Sequence, residues 1–254
     1  MPTTISLVMT VYNRQKYLPQ AVDSILTQTY PHWQLTIWDD GSTDASPQIG
    51  REYALRDPRI RFVSAPHAGL QHSLCAALAT ANNPYIGWVD SDDLLAPDAL
   101  AATVEILDNY PHVGMVYTDH VIIDEANRFQ CLGYRCQIPY CKDRLLIDFM
   151  TFHFRLMRRE MYDRVGGINI DSYVEELEDY DICLKLSEVT EIYHLQQPLY
   201  YYREHSQSLS QSNPLKQIEN AGNAVRNALV RRGLADRYYL NILPTGQFQI
   251  LERS

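Results

Sequence analysis

The feature that most constrains this chain is a rhythm: over its first 118 residues, short β-type runs alternate with stretches of helical periodicity. Residues 5–9 are a β-rich run, and Leu18, Ala21, Val22, Ile25 and Leu26 then recur at helical spacing, with Pro19 tolerated in the first turn. The pattern repeats as strand 34–38, helix 46–56, strand 60–64, helix 69–80 and strand 85–89. A helix over 97–110, with Leu100, Val104 and Leu107 as its stripe, and a strand over 113–118 complete the series. Strands separated by helices pair as parallel neighbours through right-handed crossovers. The predicted fold is therefore α/β, a Rossmann-like, mostly parallel sheet flanked by helices.

After Asp119 the rhythm breaks. Residues 127–145 have weak periodicity and several turn formers, which predicts an irregular or antiparallel excursion. Helical patterning returns over 159–165, 179–188 and 215–232. With no internal repeat and no low-complexity linker, the economical reading is one domain over 1–212 with a helical C-terminal extension, 213–254, packed on it.

Charge narrows the partners. There are 31 acidic against 22 basic side chains, a formal net charge of -9, and no Lys/Arg block that could track a phosphate backbone, so nucleic acid is not expected as a partner. No stretch approaches the roughly 20 apolar residues that span a bilayer. Met1-Pro2-Thr3-Thr4 carries no basic segment and does not read as a signal peptide, so a cytoplasmic location is expected. The stretch 215–232, with Arg226, Arg231 and Arg232 beside apolar residues, is expected to pack on its own domain. A peripheral membrane contact or a homodimer interface is the alternative use of that helix. Cys75, Cys131, Cys136, Cys141 and Cys183 are odd in number and form no Cys-x-x-Cys pair, so they read as reduced thiols rather than a zinc site.

In open α/β sheets, ligands gather beyond the carboxyl ends of the strands. The polar clusters fall at those ends: Thr10-Val11-Tyr12-Asn13 after the first strand, Asp39-Asp40-Gly41-Ser42 after the second and Asp90-Ser91-Asp92-Asp93 after the fourth. Any one cluster is what turn formers and helix caps look like, and Asp44 or Ser46 can simply cap the helix that follows. Three on one edge carry more, because carboxylates brought together repel unless a cation or a donor-rich ligand sits among them. A Gly-x-Gly-x-x-Gly cradle and a Walker loop are both absent, so a metal must take the place of the amides that hold a pyrophosphate. An Asp-x-Asp pair offers hard oxygen ligands for Mg²⁺ or Mn²⁺. An EF-hand is excluded, because the sixth and twelfth positions counted from Asp90 are Leu95 and Ala101 rather than Gly and Glu. A haloacid-dehalogenase pattern fails because Trp38 stands where an acid is needed.

Taken in order, these residues resemble the family 2 glycosyltransferases of the GT-A fold. The resemblance runs through Ile5-Ser6-Leu7-Val8-Met9-Thr10-Val11-Tyr12-Asn13, Ser24-Ile25-Leu26-Thr27-Gln28-Thr29-Tyr30 and Asp39-Asp40-Gly41-Ser42-Thr43-Asp44. It continues through Tyr85-Ile86-Gly87-Trp88-Val89-Asp90-Ser91-Asp92-Asp93-Leu94, Val165-Gly166-Gly167, Glu178-Asp179-Tyr180-Asp181, and Tyr202-Arg203-Glu204-His205 with Ser208 and Ser210, covering roughly residues 4–212. Two departures stand out: the helix after the third strand has His72 and Ser73 where a basic residue is usual, and residues 127–150 match no acceptor signature.

The resemblance implies a transfer with inversion from a nucleotide-diphosphate sugar, UDP-linked, to a saccharide, lipid-linked or protein acceptor, in cell-surface polysaccharide or glycoconjugate synthesis. It implies that Thr10, Val11, Tyr12, Asn13 and Asp39 serve the nucleotide base, and Asp90 and Ser91 the ribose or base. It implies Asp92 and His205 as ligands of Mn²⁺ or Mg²⁺, and Asp179, with Glu178 as the alternative, as the base whose pKa burial raises. A non-catalytic nucleotide-sugar-binding module is the competing reading, and the Glu178-Asp179 pair together with His205 argues against it. A nucleotidyltransferase would need a Gly-rich basic loop that Thr10-Val11-Tyr12-Asn13 does not supply.

Overall fold

The computed structural model describes residues 2–168, 178–206 and 214–253, with the backbone alone at Glu178 and Pro214. The elements are β1 (Ile5–Val11), α1 (Leu18–Leu26), β2 (Trp33–Asp40), α2 (Ser46–Arg56), β3 (Ile60–Ala65), α3 (Leu70–Ala79), β4 (Tyr85–Trp88), β5 (Leu94–Leu95) and α4 (Ala99–Asn109). They continue as β6 (Val113–Ile123), β7 (Phe129–Leu132), β8 (Arg155–Arg158), α5 (Arg159–Arg164), α6 (Glu178–Val189), β9 (Glu191–Arg203), α7 (Pro214–Arg231), β10 (Tyr238–Ile242) and β11 (Phe248–Glu252).

The main sheet has the order β3-β2-β1-β4-β8-β6-β9-β5, with β7 hydrogen-bonded to the edge of β6. Strands β1 to β4 run parallel, β8 is inserted antiparallel between β4 and β6, and β6 and β9 run parallel to each other. The chain lays down β1, β2 and β3 outward and then steps back across β1 to place β4. The strand order thus reverses between β1 and β4, and the carboxyl ends of those two strands frame the crevice where α/β sheets bind ligands.

Both faces of the sheet are covered, which is why β1 is buried along nearly its whole length rather than alternating. Ile5, Leu7, Met9 and Val11 point to one core, filled by Leu18, Ala21, Val22 and Ile25 of α1 and by Leu100, Val104 and Leu107 of α4. Val8 points to the other, shared with Leu74 and Leu78 of α3, Ile182 and Leu186 of α6, and Val225 and Leu229 of α7. The apolar stripe of α7 is thereby spent on the same core as the sheet. Among the described residues, no helix is long and apolar enough to cross a membrane.

Three features depart from the periodicity. Strand β6 continues to Ile123, and three strands, the two-residue β5 and the longer β8 and β9, stand where no strand is predicted. The extension carries, besides its helix, an antiparallel hairpin of β10 and β11. The excursion after Asp119 is antiparallel at first, as β7 pairs with β6, and then breaks into short 3-10 turns at Tyr134–Gln137 and Arg144–Leu146.

Gly87 shows how tightly β8 is seated. A Cβ at this position of β4 would lie 2.8 Å from the backbone oxygen of Arg155 and 3.3 Å from the Phe154 ring. The Gly87→Ala variant is expected to lose about 1–3 kcal/mol of stability through this overpacking. Urea unfolding checks it, and a midpoint equal to the parent protein's would show that β8 can yield at no cost.

Candidate active site

The loops after β1 and β2 hold each other. Asn13 adopts a left-handed backbone, φ 54°, which its short amide side chain tolerates, and its Oδ1 accepts from the Thr43 amide at 2.8 Å. The amides of Asn13, Arg14 and Gln15 donate to Ser42 Oγ, Ser46 Oγ and Asp44 Oδ2 at 2.9, 2.9 and 3.0 Å. Ser42, Asp44 and Ser46 thus fasten one strand end to the next. Asp40, which the sequence does not single out, takes the amides of Ala68 and Gly69 and the hydroxyl of Ser73 at 2.8, 3.0 and 2.7 Å. Ser73 therefore anchors Asp40 where the resemblance expects a basic donor contact. Gly41 makes the turn possible, since at φ 73° an added Cβ would lie 2.8 Å from the His67 nitrogen. The His67 ring in turn stacks on Tyr12, centroids 4.2 Å apart.

The Asp90–Asp93 loop is held from β9. Asp93 is 2% exposed and accepts from the Tyr200 hydroxyl at 2.8 Å and the Arg203 amide at 2.7 Å. The Arg203 guanidinium donates through Nε to the Asp92 carbonyl at 2.6 Å. Asp92 Oδ2 is met at 3.0 Å by Arg14 Nε and at 3.0 Å by His205 Nε2, and the His205 ring stacks on Tyr17 at 4.6 Å. Residues more than a hundred positions apart meet at this carboxylate.

Asp179, near the start of α6, faces the same crevice and is not alone there. Arg155, 1% exposed at the start of β8, reaches its Oδ2 with both Nη1, 3.3 Å, and Nη2, 3.2 Å. Arg155 Nη2 also lies 3.1 Å from His153 Nδ1, and His153 Nε2 lies 3.3 Å from Asp90 Oδ2. Arginine can only donate, so the His153 ring accepts from Arg155, whose Nη2 also lies 3.4 Å from Nε2. The sequence gives no period or motif that marks Arg14, His153 or Arg155. The isolated burial expected of Asp179 is replaced by pairing, since its side chain is 17% exposed and bonded to a buried guanidinium.

A cavity of about 760 Å³ joins these groups. It is lined by Thr10, Val11, Tyr12, Asp90, Ser91, Asp92 and Asp179 of the predicted set, and also by Arg14, Asp40, His67, Asp93 and His153. Asn13 and Asp39 do not line it. Asp39 is 1% exposed beneath the crevice, with Ser42 N and Ser64 Oγ both at 3.4 Å. His205 reaches the crevice through its contact with Asp92. Glu178 opens α6, but its side chain, like Ser208 and Ser210, lies outside the described residues.

Among the described residues no group of three or more His, Cys, Asp or Glu forms a metal cage. Asp92 and His205 fit a divalent ion in a narrower way. Neighbouring ligands of an octahedral ion with bonds of 2.0–2.1 Å lie roughly 3 Å apart, and the two donor atoms are 3.0 Å apart. They would offer such an ion one carboxylate oxygen and one imidazole nitrogen.

Comparison with known proteins agrees with this architecture. Residues 6–166 match the family model described as Glycosyl transferase family 2. A chondroitin synthase of Escherichia coli is 31% identical over 235 residues, 92% of this chain and 34% of that protein. A hyaluronan synthase of Pasteurella multocida is 30% identical over 92% of this chain and 24% of its own length. This chain thus spans about a third or less of these synthases. In structure it resembles S. aureus TarS 1-349, solved with UDP-GlcNAc, with a TM-score of 0.73 at 17% identity over 92% of this chain and 70% of that one. It also resembles a mannosyltransferase from Pyrobaculum calidifontis, solved with GDP-Man and Mn2+, with a TM-score of 0.69 at 19% identity over 89% and 65% of the two chains. At such identities the likeness is one of GT-A fold.

Burial sorts the protonation states in the cavity. It raises Asp90 to about 7, with the charge of Asp92 adding to the effect, and it holds His153 well below the ordinary histidine range. His120, 4% exposed on the cavity wall, is pushed down to about 4, first by burial and then by the charge of Arg135. The folded protein therefore refuses a proton that the unfolded chain accepts. His120's contribution to stability is full above pH 6.5 and lost as pH falls toward about 4. Between pH 7 and pH 5 the His120→Gln variant should lose less stability than the parent by on the order of 2 kcal/mol, measured by chemical denaturation at both pH values. Equal losses would mean that His120 takes up its proton in the folded state.

Proposed function

Because this chain belongs to glycosyl transferase family 2, we propose that it is an inverting transferase that moves a sugar from a nucleotide-diphosphate sugar, UDP-linked, to an acceptor hydroxyl in the assembly of a cell-surface polysaccharide or glycoconjugate. The observation that carries this reading is the meeting of Asp92 Oδ2 with His205 Nε2, 3.0 Å apart, beside the cavity that Asp179 also lines. Two features outside this geometry support it: relatives that are polysaccharide synthases, and neighbours of the same fold solved with UDP-GlcNAc or with GDP-Man and Mn2+.

In this reading the nucleotide lies at the switch point, with its base against Thr10, Val11 and Tyr12, and its ribose near Asp90 and Ser91. Asp39 acts from beneath, by shaping the turn that seats Asp40 and His67. Asp92 and His205 would hold a divalent ion, Mn²⁺ or Mg²⁺, which supplies neutralisation of the charge that grows on the departing diphosphate. Arg14, now on Asp92, provides a second positive group beside that charge. Asp179 receives the proton of the acceptor hydroxyl as its oxygen bonds to the anomeric carbon and the bond to the diphosphate breaks. Both Arg155 contacts fall on Oδ2, so Oδ1 is the oxygen offered to that proton. Arg155 acts as a positioning residue. Residues 213–254 serve as an extension of the same domain, with α7 packed on the core behind the site.

Two substitutions test this assignment. Asp179→Asn is expected to keep nucleotide binding and to lower transfer, or hydrolysis of a nucleotide sugar, by about a hundredfold or more. Undiminished turnover would take Asp179 out of the mechanism. In Asp92→Ala, Mn²⁺ should no longer strengthen binding of a nucleoside diphosphate in calorimetry. Retention of the full Mn²⁺ effect in that variant would assign the ion elsewhere.

A further inference from the structure

The cavity has two chemically different ends. One is the carboxylate group of Asp90, Asp92, Asp93 and Asp179; the other is the aromatic group of Tyr134, Phe149, Phe152 and Tyr202, and the His153 ring touches both, at 3.3 Å from Asp90 Oδ2 and 4.7 Å from the Phe152 ring. Phe152 packs edge-on against Phe149 at 6.1 Å and against Tyr202 at 5.5 Å, and the His120 ring lies 4.7 Å from it. Over this aromatic patch lies Arg135, its guanidinium 4.5 Å from the Phe152 centroid and 5.1 Å from that of Phe149, with Nε donating to the Tyr134 hydroxyl at 3.1 Å.

Three arginines line the cavity, and they differ in what they hold. Arg14 is paired with Asp92. The nitrogens of Arg203 are taken by the carbonyls of Asp92 and Asp124 and by the side chains of Asn127 and Gln20. Arg135 has no carboxylate partner among the described residues, and the one bond of its guanidinium to protein there goes through Nε to Tyr134. A guanidinium packed against aromatic rings loses water on that side and keeps its remaining N–H donors, here Nη1 and Nη2, for what enters the cavity. That fork suits a two-oxygen anion better than a lone hydroxyl.

We propose that the aromatic end is the acceptor subsite and that it selects an anionic saccharide, whose ring lies on Phe149 and Phe152 while its carboxylate or phosphate is held by Arg135. The inference rests on the transferase reading above and names the acceptor class that reading leaves open. The lining favours it, because Asp92 and Asp179 already hold cationic or imidazole partners of their own, whereas Arg135 has no carboxylate partner among the described residues and can draw an anionic group to itself. The segment that presents Phe152 also carries His153 and Arg155, and Arg155 holds Asp179. A sugar seated on Phe152 is thereby registered by the same stretch of chain that orients the candidate base. Aromatic side chains are a common wall for such sites because they supply large apolar faces beside a few placed polar groups.

The test is saturation-transfer NMR on the full chain with Mn²⁺ and UDP present, using methyl β-glucuronide, glucose 6-phosphate and methyl β-glucoside as probes. The parent protein is expected to bind at least one of the two anionic sugars roughly tenfold more tightly than the neutral one, the scale of one charge-assisted pair. Preference for the glucuronide identifies a carboxylate, and preference for the phosphate ester identifies a phosphate. Arg135→Gln should erase the gap, while Arg135→Lys, which keeps the charge and loses the fork, should keep part of it; circular dichroism confirms that both are folded. Equal binding of the three probes by the parent, no binding included, overturns the proposal, and so does a gap that survives in Arg135→Gln. Calorimetry of the parent with UDP and Mn²⁺ separates the two levels. A protein that binds the nucleotide but ignores sugar charge loses only the subsite, whereas one that binds no nucleotide under any metal condition loses the transferase reading and the subsite with it.

Discussion

Three carboxylates within four residues, Asp90, Asp92 and Asp93, are packed at the carboxyl end of β4, and their mutual repulsion sets terms that the surrounding structure must meet. Each is answered separately. Asp93, raised well above the usual range by burial and by its two neighbours, is capped by the Tyr200 hydroxyl and the Arg203 amide. Asp92 is opposed by burial but held below the usual range by its bond to His205 and by the charge of Arg14. Asp90 faces the ring of His153. Removing a partner of Asp93, the one of the three that is fully buried, would leave a buried acid short of a hydrogen bond, which costs more than a surface contact is worth. The answering groups come from β9, from the loop after β1 and from the segment before β8, so the acid loop largely dictates which parts of the chain must converge.

That convergence explains what was readable in the sequence and what was not. The parallel half, β1 to β4 with its helices, follows from the regular alternation of apolar β-type runs with helical stripes, in which even the four-residue β4 is placed by the elements on either side of it. Strand β8 has four residues with arginine at each end, and its pairing partners lie far along the chain, so no local pattern announces it. Strand β9 contains Pro198, which in a sequence argues against a strand interior. The fold accommodates that proline opposite Asp119, where the β6–β9 register slips on either side. The hairpin of β10 and β11 is short and partly exposed, and it too lacks a clean alternation.

The site follows the same division. Clusters at strand ends are visible because α/β topology gives them a common edge, and Asp90, Asp92 and Thr10 to Tyr12 do come together around one cavity. The aspartates after β2 show the limit of that logic. Periodicity cannot say which of two adjacent acids faces the crevice; the alternation of β2 puts Asp40 on the cavity wall and Asp39 beneath it. Asp40 is then consumed by the amides before α3, so this motif contributes less as a ligand set than as the knot that fixes the walls of the site. His153 and Arg155 were illegible for a different reason: a single buried base or guanidinium has no signature until the partners that make its burial tolerable are known.

The pairing of Asp179 with Arg155 changes what kind of base the site can contain. A carboxylate gains basicity from lost hydration, and in this cavity it is Asp90 that burial, with the charge of Asp92 beside it, raises to about 7. Asp179 has a fully buried guanidinium on one oxygen, and that guanidinium is itself wedged over the Trp88 ring at 5.2 Å. Such a contact fixes the carboxylate with one oxygen presented in a set direction. For a transfer in which the acceptor oxygen must approach the anomeric carbon along one line, orientation of this kind can lower the barrier by as much as a stronger but freely rotating base, since several kcal/mol of a bimolecular barrier is entropy of placement. In the transfer proposed for this site, a set direction for the base is what this arrangement of Arg155, His153 and Asp179 would provide.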